Sequence, residues 1–336
     1  LNIYDIARLS GVSIATVSRV VNGSDKVSEK TRRRVLDIID QTEYRPNAFA
    51  QGLGLNTMHT VGILVPDISD IYMSGAVSFL EQQLHRNGYE CILSCSGFSP
   101  ERKQAHVQML LSKHIDALIL VGSTYAGSGD DSQQTEYIRE AALQVPVFLI
   151  NGVVEGSNIY CCICNDRKIV NDAVRELITG GRRRILFLSD SGSYSARQKR
   201  AGYEQALSDA GIAVADELII RIRKNRIHEV RDLLLFRNDL TFDAVVAVDD
   251  ALAVGVVKYA AANNLQIPSD LSVIGYNNSV LAVASQPELT SIDSRLSSMC
   301  SDTVSHLIKR LQDPSASESI PKVAVKSGRI VHRSTT

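Results

Sequence analysis

Cys161, Cys162 and Cys164 are the densest set of soft metal ligands in this 336-residue chain. A structural zinc site needs four ligands, and no histidine or fourth cysteine stands nearby at zinc-ligand spacing. The stretch Ile159-Tyr160-Cys161-Cys162-Ile163-Cys164 reads instead as a strand, whose alternation sends Cys162 and Cys164 to one face and Cys161 to the other. With Cys91, Cys95 and Cys300, which also sit in apolar runs, they are expected to be buried, reduced thiols holding no metal and no cofactor. Catalysis has no better footing. His85, His106, His114 and His332 have no serine or cysteine partner at a recognisable spacing. A phosphate-binding G-x-x-x-x-G-K-[ST] loop, a dinucleotide G-x-G-x-x-G, a G-x-S-x-G elbow and an H-E-x-x-H helix are all missing, so no catalytic residue is expected. What remains is a basic run, Lys30, Arg32, Arg33 and Arg34. Alone it is a solvated helix face; beside a helix-turn-helix it becomes a surface for phosphates. The net charge is −1, so affinity for nucleic acid must come from such a local patch.

The elements around that run have this character. Ile3 to Ser10 forms a short helical pattern in which Ile6 and Leu9 share a face and Ala7 permits close approach. Gly11 allows a sharp turn. Ser13 caps a second helix, Ile14 to Val21, with Val17, Val20 and Val21 inward and Asn22-Gly23 as its stop. Ser28 caps a third, with Val35, Ile38, Ile39 and Thr42 on the buried side and the basic run outside. Pro46 stops that helix at Arg45 and can open another short one, Asn47 to Leu53. A helix, a glycine turn and a second helix make the arrangement of a DNA reader.

The sequence here is similar to one family in detail. Ile3-Tyr4-Asp5-Ile6-Ala7, Gly11-Val12-Ser13, Ala15-Thr16-Val17-Ser18-Arg19-Val20-Val21-Asn22-Gly23, Val27-Ser28, Thr31-Arg32 and Tyr44-Arg45-Pro46-Asn47-Ala48 closely resemble the head of the lactose/galactose repressor (LacI/GalR) family. The resemblance implies that Ile14 and Ala15, at the start of the recognition helix, choose the operator by apolar contact, for example with thymine methyls. It implies that Arg19 reads guanine in a bidentate contact and that Tyr4, Ser13, Thr16, Ser18, Asn22 and Asn47 are further DNA-contacting positions. It also makes Leu53 the wedge that a hinge helix drives into the minor groove, although Gln51, Gly52 and Gly54 depart from the residues usual around it.

From Val61 onward the pattern changes to buried strands alternating with helices, in two successive sets. The strands are Val61 to Val65, Tyr89 to Leu93, Asp116 to Val121 and Val145 to Ile150, then Arg184 to Ser189, Asp243 to Val248 and Leu271 to Gly275. Continuous apolar strands of this kind imply parallel sheets covered by helices on both faces, and two sets imply two lobes. Val65-Pro66-Asp67-Ile68-Ser69, Arg200-Ala201-Gly202-Tyr203, Asp250 to Gly255, Ile267 to Tyr276 and Pro287 to Ile292 extend the resemblance, since the family's core looks like a type 1 periplasmic sugar-binding protein. The expected fold is therefore an all-α helix-turn-helix head with a hinge helix, followed by a two-lobed α/β core. The head takes residues 1–45, the hinge helix and linker 46–60, and the core 61–336. Three crossovers divide the core into a first lobe of about 61–160 with 292–320 and a second of about 161–290 with 321–336.

By the same resemblance the effector lies between the lobes, beyond the carboxyl ends of the strands, at Ser69, Tyr72, Met73, Ser123, Asp166, Arg197, Lys199, Asp249 and Asn277. Tyr72 suits stacking on a sugar ring or base, Asp249 and Asn277 suit hydroxyls, and Lys199 suits a hydroxyl, carboxylate or phosphate. Lys199 replaces a usual arginine and Asn277 a usual aspartate, and Arg197 beside Lys199 favours an anionic effector. The expected protein is a cytoplasmic homodimeric repressor on a near-palindromic double-stranded operator, switched by a carbohydrate-like small molecule. No stretch is long and apolar enough for a membrane, and the N-terminus has no secretory signal. Similarity of the N-terminal half to catabolite control proteins adds a phosphoprotein corepressor to the partners considered.

Overall fold

The computed structural model describes residues 1–42, 44, 57–127, 132–222, 227–237 and 239–336. The chain divides into two compact units, Leu1–Thr60 with His114–Asp116, and Val61–Lys113 with Ala117–Thr336. The expected hinge helix, with Asn47 and Leu53, lies outside the described residues.

The first unit carries α1 (Ile3–Ser10), α2 (Ile14–Val21) and α3 (Glu29–Thr42). Local chemistry sets each end. The Asn2 side chain accepts from the Tyr4 and Asp5 amides at 2.9 and 3.2 Å, and Asp5 accepts in return from the Asn2 amide, a closed capping box. Gly11 stops α1 at φ 65°, a left-handed conformation that costs glycine no steric strain. Ser13 Oγ accepts from the Thr16 amide and starts α2. Ile6, Ala7, Val17, Val20 and Val35 form the core of the head, with Ile3, Val12, Ile38 and Ile39 packed around them. Leu9 is 52% exposed, contrary to expectation, because the buried stripe of α1 runs through Ile3, Ile6, Ala7 and Ser10 and Leu9 falls beside it.

The second unit contains two six-stranded sheets. The strands are β1 (Thr60–Val65), β2 (Glu90–Cys95), β3 (Ala117–Val121), β4 (Val147–Ile150), β5 (Ile159–Cys164), β6 (Ile185–Ser189), β7 (Ile219–Arg221), β8 (Ala244–Ala247), β9 (Ser272–Tyr276), β10 (Thr290–Asp293), β11 (Val323–Lys326) and β12 (Arg329–Val331). One sheet runs β11-β5-β4-β3-β1-β2 and the other β12-β10-β9-β8-β6-β7. Within the second sheet β12 pairs antiparallel with β10, while β10, β9, β8, β6 and β7 are parallel. The helices between them are α4 (Ile71–Arg86), α5 (Pro100–Leu111), α6 (Glu136–Ala142), α7 (Asp166–Thr179), α8 (Tyr194–Asp209), α9 (Ile227–Phe236), α10 (Asp250–Ala262), α11 (Val280–Ala284) and α12 (Leu296–Gln312). They leave β3, β4, β5, β6, β8 and β9 buried along their whole length, as sheets covered on both faces require. All of Cys161, Cys162 and Cys164 are buried in β5, and burial pushes the Cys161 thiol up to about 11.

The lobe limits differ from those expected. β5 runs on to Cys164 within the first sheet, so the first crossing comes there and not at residue 160. β10 belongs to the second sheet through Asp293, and the return to the first lobe follows it, as α12 packs against α4 and β5. β11 pairs with β5 in register from Val323↔Cys161 to Lys326↔Cys164, so the last crossing falls between Lys326 and Arg329 and not near Pro321.

Helix α8 lies close on α7 because position 202 has no side chain. A Cβ on Gly202 would stand 2.2 Å from the Arg167 carbonyl oxygen and 3.1 Å from the Asn171 nitrogen, both backbone atoms that cannot swing aside. Gly202→Ala is expected to cost about 1–3 kcal/mol by overpacking. A melting curve should then fall by roughly 2–4 °C per kcal/mol in a unit of this size; an unchanged midpoint would show that the two helices separate at no cost.

Candidate nucleic-acid interface and interlobe cleft

On α2 the valines face the core and the opposite side is open. Ile14 is 40% exposed, and Ala15 and Arg19, four apart and therefore on one face, are exposed beside it. Arg19 makes no ion pair among the described residues, so its guanidinium fork is unengaged. Tyr4 is 67% exposed, whereas Thr16, Ser18 and Asn22 are half-buried. Ser13 and Thr16 are joined hydroxyl to hydroxyl at 2.9 Å in the cap of α2, so Ser13 holds the start of the reading helix. Asn22 Nδ2 approaches Ser18 Oγ at 3.5 Å, and its Oδ1 is buried without a partner. The basic run divides. Lys30, Arg33 and Arg34 are exposed, while Arg32 turns inward and donates to the Ser24 carbonyl at 2.7 Å, with Glu29 at 3.4 Å. Arg32 therefore braces the segment between α2 and α3 and is no free cation.

In the second unit a cleft of about 1230 Å³ opens between the lobes. Ser69, Tyr72, Arg197, Asp249 and Asn277 line it, from the positions named in the sequence. The elements that aim them are strand ends and helix starts. Asp249 follows β8 and caps α10, accepting from the Ala251 amide at 2.7 Å, and its other oxygen accepts from Asn277 Nδ2 at 3.1 Å. Asn277 follows β9 at φ 90°, outside the usual range for a side-chain-bearing residue. Its loop is held by Asp250, which is 1% exposed and accepts from the Ser279 amide at 2.6 Å and the Ser291 hydroxyl at 2.5 Å. Burial pushes the Asp250 carboxyl up to about 6.

Four expected effector residues do not line the cleft. Met73 packs against the core, with its terminal carbon toward Gly122. Ser123 donates to Ser193 Oγ at 2.9 Å, a hydrogen bond from the first lobe to the cap of α8. Asp166, 3% exposed, accepts from the Ser195 and Tyr276 hydroxyls. Lys199, 6% exposed, donates to the Val248 carbonyl at 3.0 Å with its ammonium 3.4 Å from the centre of the Tyr276 ring. The carbonyl and the ring face satisfy this cation internally, so it is a strut beneath the cleft and not an anion contact within it. Tyr72 lines the cleft, but its hydroxyl is buried and has no partner, and burial raises its pKa.

The cleft also holds residues that sequence reasoning missed, among them Asp70, Lys103, Thr124, Asp190, Ser193 and Arg221. Most follow the carboxyl end of a strand: Asp70 beyond β1, Thr124 beyond β3, Asp190 beyond β6, and Arg221 at the end of β7. That rule of open α/β sheets was the signal available. Lys103 carried no such signal, because it sits on α5 and reaches the cleft only through its long stem. Its ammonium donates to the Thr124 carbonyl at 2.7 Å over the Tyr125 ring, and burial draws its pKa down to about 8. Burial first, and then the charges of Asp249 and Asp190, hold the Asp70 carboxyl above its ordinary range.

Known proteins share both parts. Residues 2–47 match bacterial regulatory proteins of the lacI family, and residues 174–336 match the periplasmic binding protein-like domain. An HTH-type transcriptional regulator of Lachnoclostridium phytofermentans is 44% identical over 338 residues, spanning 100% of this chain and 99% of that protein. Catabolite control protein A of Priestia megaterium is 32% identical over 297 residues, 87% of each chain. The solved lac repressor dimer bound to operator and the anti-inducer ONPF has the same fold, with a TM-score of 0.85 at 23% identity over 100% of this chain and 99% of that one. A relative matched from end to end at 44% identity places the chain in the lacI family of bacterial regulatory proteins, which are DNA-binding transcriptional regulators and not enzymes.

Proposed function

We propose that this regulator represses transcription in the cytoplasm as a homodimer on a near-palindromic operator, and that a small polar metabolite in the interlobe cleft switches it. The metabolite class is a sugar, sugar phosphate or sugar acid. One observation carries the reading: the cleft draws polar side chains from both lobes, Asp70 and Lys103 from the first and Asp190, Arg197, Asp249 and Asn277 from the second. A ligand touching both sets favours one relation of the lobes over another, and only such a differential contact can shift a conformational equilibrium. The dimer is supported by the small size of one reading head, whose two-fold doubling would match a two-fold operator, and by the dimeric operator complex of the lac repressor. Tyr4, Ser13, Ile14, Ala15, Thr16, Ser18, Arg19 and Asn22 are assigned to the DNA face, with Asn47 and the Leu53 wedge in the hinge.

The test couples two measurements on the full chain. A thermal-shift screen of sugars, sugar phosphates and sugar acids should yield a ligand that stabilises the protein by about 2.7 kcal/mol at a hundred times its Kd. Operator affinity measured with and without that ligand must then change by the same factor as ligand affinity with and without operator. A ligand that stabilises the protein while leaving operator binding unmoved sinks the switch. Operator binding that appears only when a phosphorylated partner protein is added would replace it with a corepressor mechanism.

A further inference from the structure

Three basic side chains of the cleft are linked through shared neighbours. Lys103 and Arg197 donate to carbonyls of one short segment, Lys103 to Thr124 at 2.7 Å and Arg197 to Gly127 at 3.4 Å. Arg197 also donates to the Gly192 carbonyl at 2.8 Å. Gly192 in turn lies against Arg221, for a Cβ there would stand 3.5 Å from the guanidinium. Three cations are thereby strung along one side, Lys103 from the first lobe and Arg197 and Arg221 from the second. None has a carboxylate partner among the described residues. The Thr124 hydroxyl beside them is buried without a hydrogen bond. Carboxylates line the cleft as well, and Asp70 feels the charges of Asp249 and Asp190.

Lys103 rests on a carbonyl and a ring as Lys199 does, but it lines the cleft where Lys199 does not, beside two arginines that an entering anion would meet as well. Carboxylates, in contrast, are acceptors that recognise sugar hydroxyls. The cavity, at about 1230 Å³, is above the roughly 300–1,000 Å³ usual for small-molecule sites, which leaves room for more than one sugar ring. We infer that Lys103, Arg197 and Arg221 seat the acid group of an anionic oligosaccharide, a carboxylate or a phosphate monoester, while Asp70, Asp190 and Asp249 take its hydroxyls. This rests on the cleft being the effector site, and it moves the anionic preference from Lys199, which is sealed beneath the cleft, to residues that face into it. The seat spans both lobes, so the acid group itself would draw Lys103 toward the two arginines as the cleft closes.

The experiment is calorimetry on the full chain with three sets of probes: maltose and cellobiose; their aldonic acids with digalacturonic acid; and phosphate monoesters of the two disaccharides. The expected result is binding in one of the acidic sets, and which set responds separates carboxylate from phosphate. The affinity of that probe should fall about tenfold or more in Lys103→Gln and in Arg221→Gln, as loss of a charge-assisted hydrogen bond implies. It should recover in Lys103→Arg and weaken with added salt. Arg221 is exposed, so Arg221→Gln keeps the fold intact even where Lys103→Gln does not. Binding by neutral probes alone, or acid binding that both variants leave unchanged, overturns the seat and leaves the cleft as the effector site. A chain that binds no probe of any set overturns both.

Discussion

Arg19→Ala is expected to cost about 1–3 kcal/mol per half-site and to relax base preference at one position in each. The geometry behind this is simple. Val17 and Val20 anchor one side of α2 in the head, and Ser13 fixes its first turn, so the opposite side is held rigidly outward. Ile14 and Ala15 offer no hydrogen bonds there. Arg19, one turn on and free of ion pairs among the described residues, is the planar donor fork of that face, suited to the two acceptors of a guanine edge. Selection from randomised operators checks the result. If the variant binds every sequence more weakly but in the same rank order, with a salt slope lower by about one, Arg19 touches phosphate and reads nothing.

The second large effect is expected from Asp166→Ala. The carboxylate sits at the start of α7, just past the first lobe crossing, and ties the Ser195 hydroxyl of α8 to the Tyr276 hydroxyl of β9. Removing it leaves the buried Ser195 hydroxyl without its acceptor and the Tyr276 hydroxyl with only the weakly accepting Cys164 sulfur at 3.7 Å, beside the ring that carries the Lys199 ammonium. Each unsatisfied group costs about 1–3 kcal/mol, so a loss of roughly 3–5 kcal/mol and a melting midpoint lower by on the order of 10 °C follow. Tyr276→Phe should couple to it by about 1–3 kcal/mol in a double-mutant cycle. Lys199→Gln belongs with these: it should lower stability in the absence of any ligand. A midpoint within about 2 °C of wild type for Asp166→Ala would mean that the three side chains share a location without holding it together.

The head was legible because its signals are local. Gly11 and Ser13 each fix a helix end within four residues, and valines at helical spacing show which side is buried. The strands with unbroken apolar runs were legible for a similar reason. What escaped has no such mark. Helix α12 is preceded by Arg295, which has a left-handed backbone and supplies no side-chain cap. β7 and β12 are three residues long, too short to show any period, and β11 alternates only between half-buried and exposed. In the cleft, resemblance supplied positions but not directions. Lys199 stands where a ligand contact was expected and turns away from it, because the Val248 carbonyl and the Tyr276 ring are closer and drier. Lys103 carries no mark at all, because its helix gives no hint of where a four-carbon stem ends.

The pairing of β11 with β5 bears on how the protein emerges from the ribosome. The first sheet opens at Thr60 but is complete only when Lys326 has been made, after every strand of the second sheet except β12. The head, whose helices α1, α2 and α3 all fall between Ile3 and Thr42, can fold while most of the chain is still unmade. The first lobe cannot. Until α12 and β11 arrive, α4 lacks the helix packed on it, and β5 presents a free edge lined by three cysteines. Nascent or truncated chains that stop before Leu296 would thus be able to form a DNA reader while exposing a sticky, thiol-bearing strand, which makes that window the vulnerable stage of synthesis and the natural place for a chaperone to act.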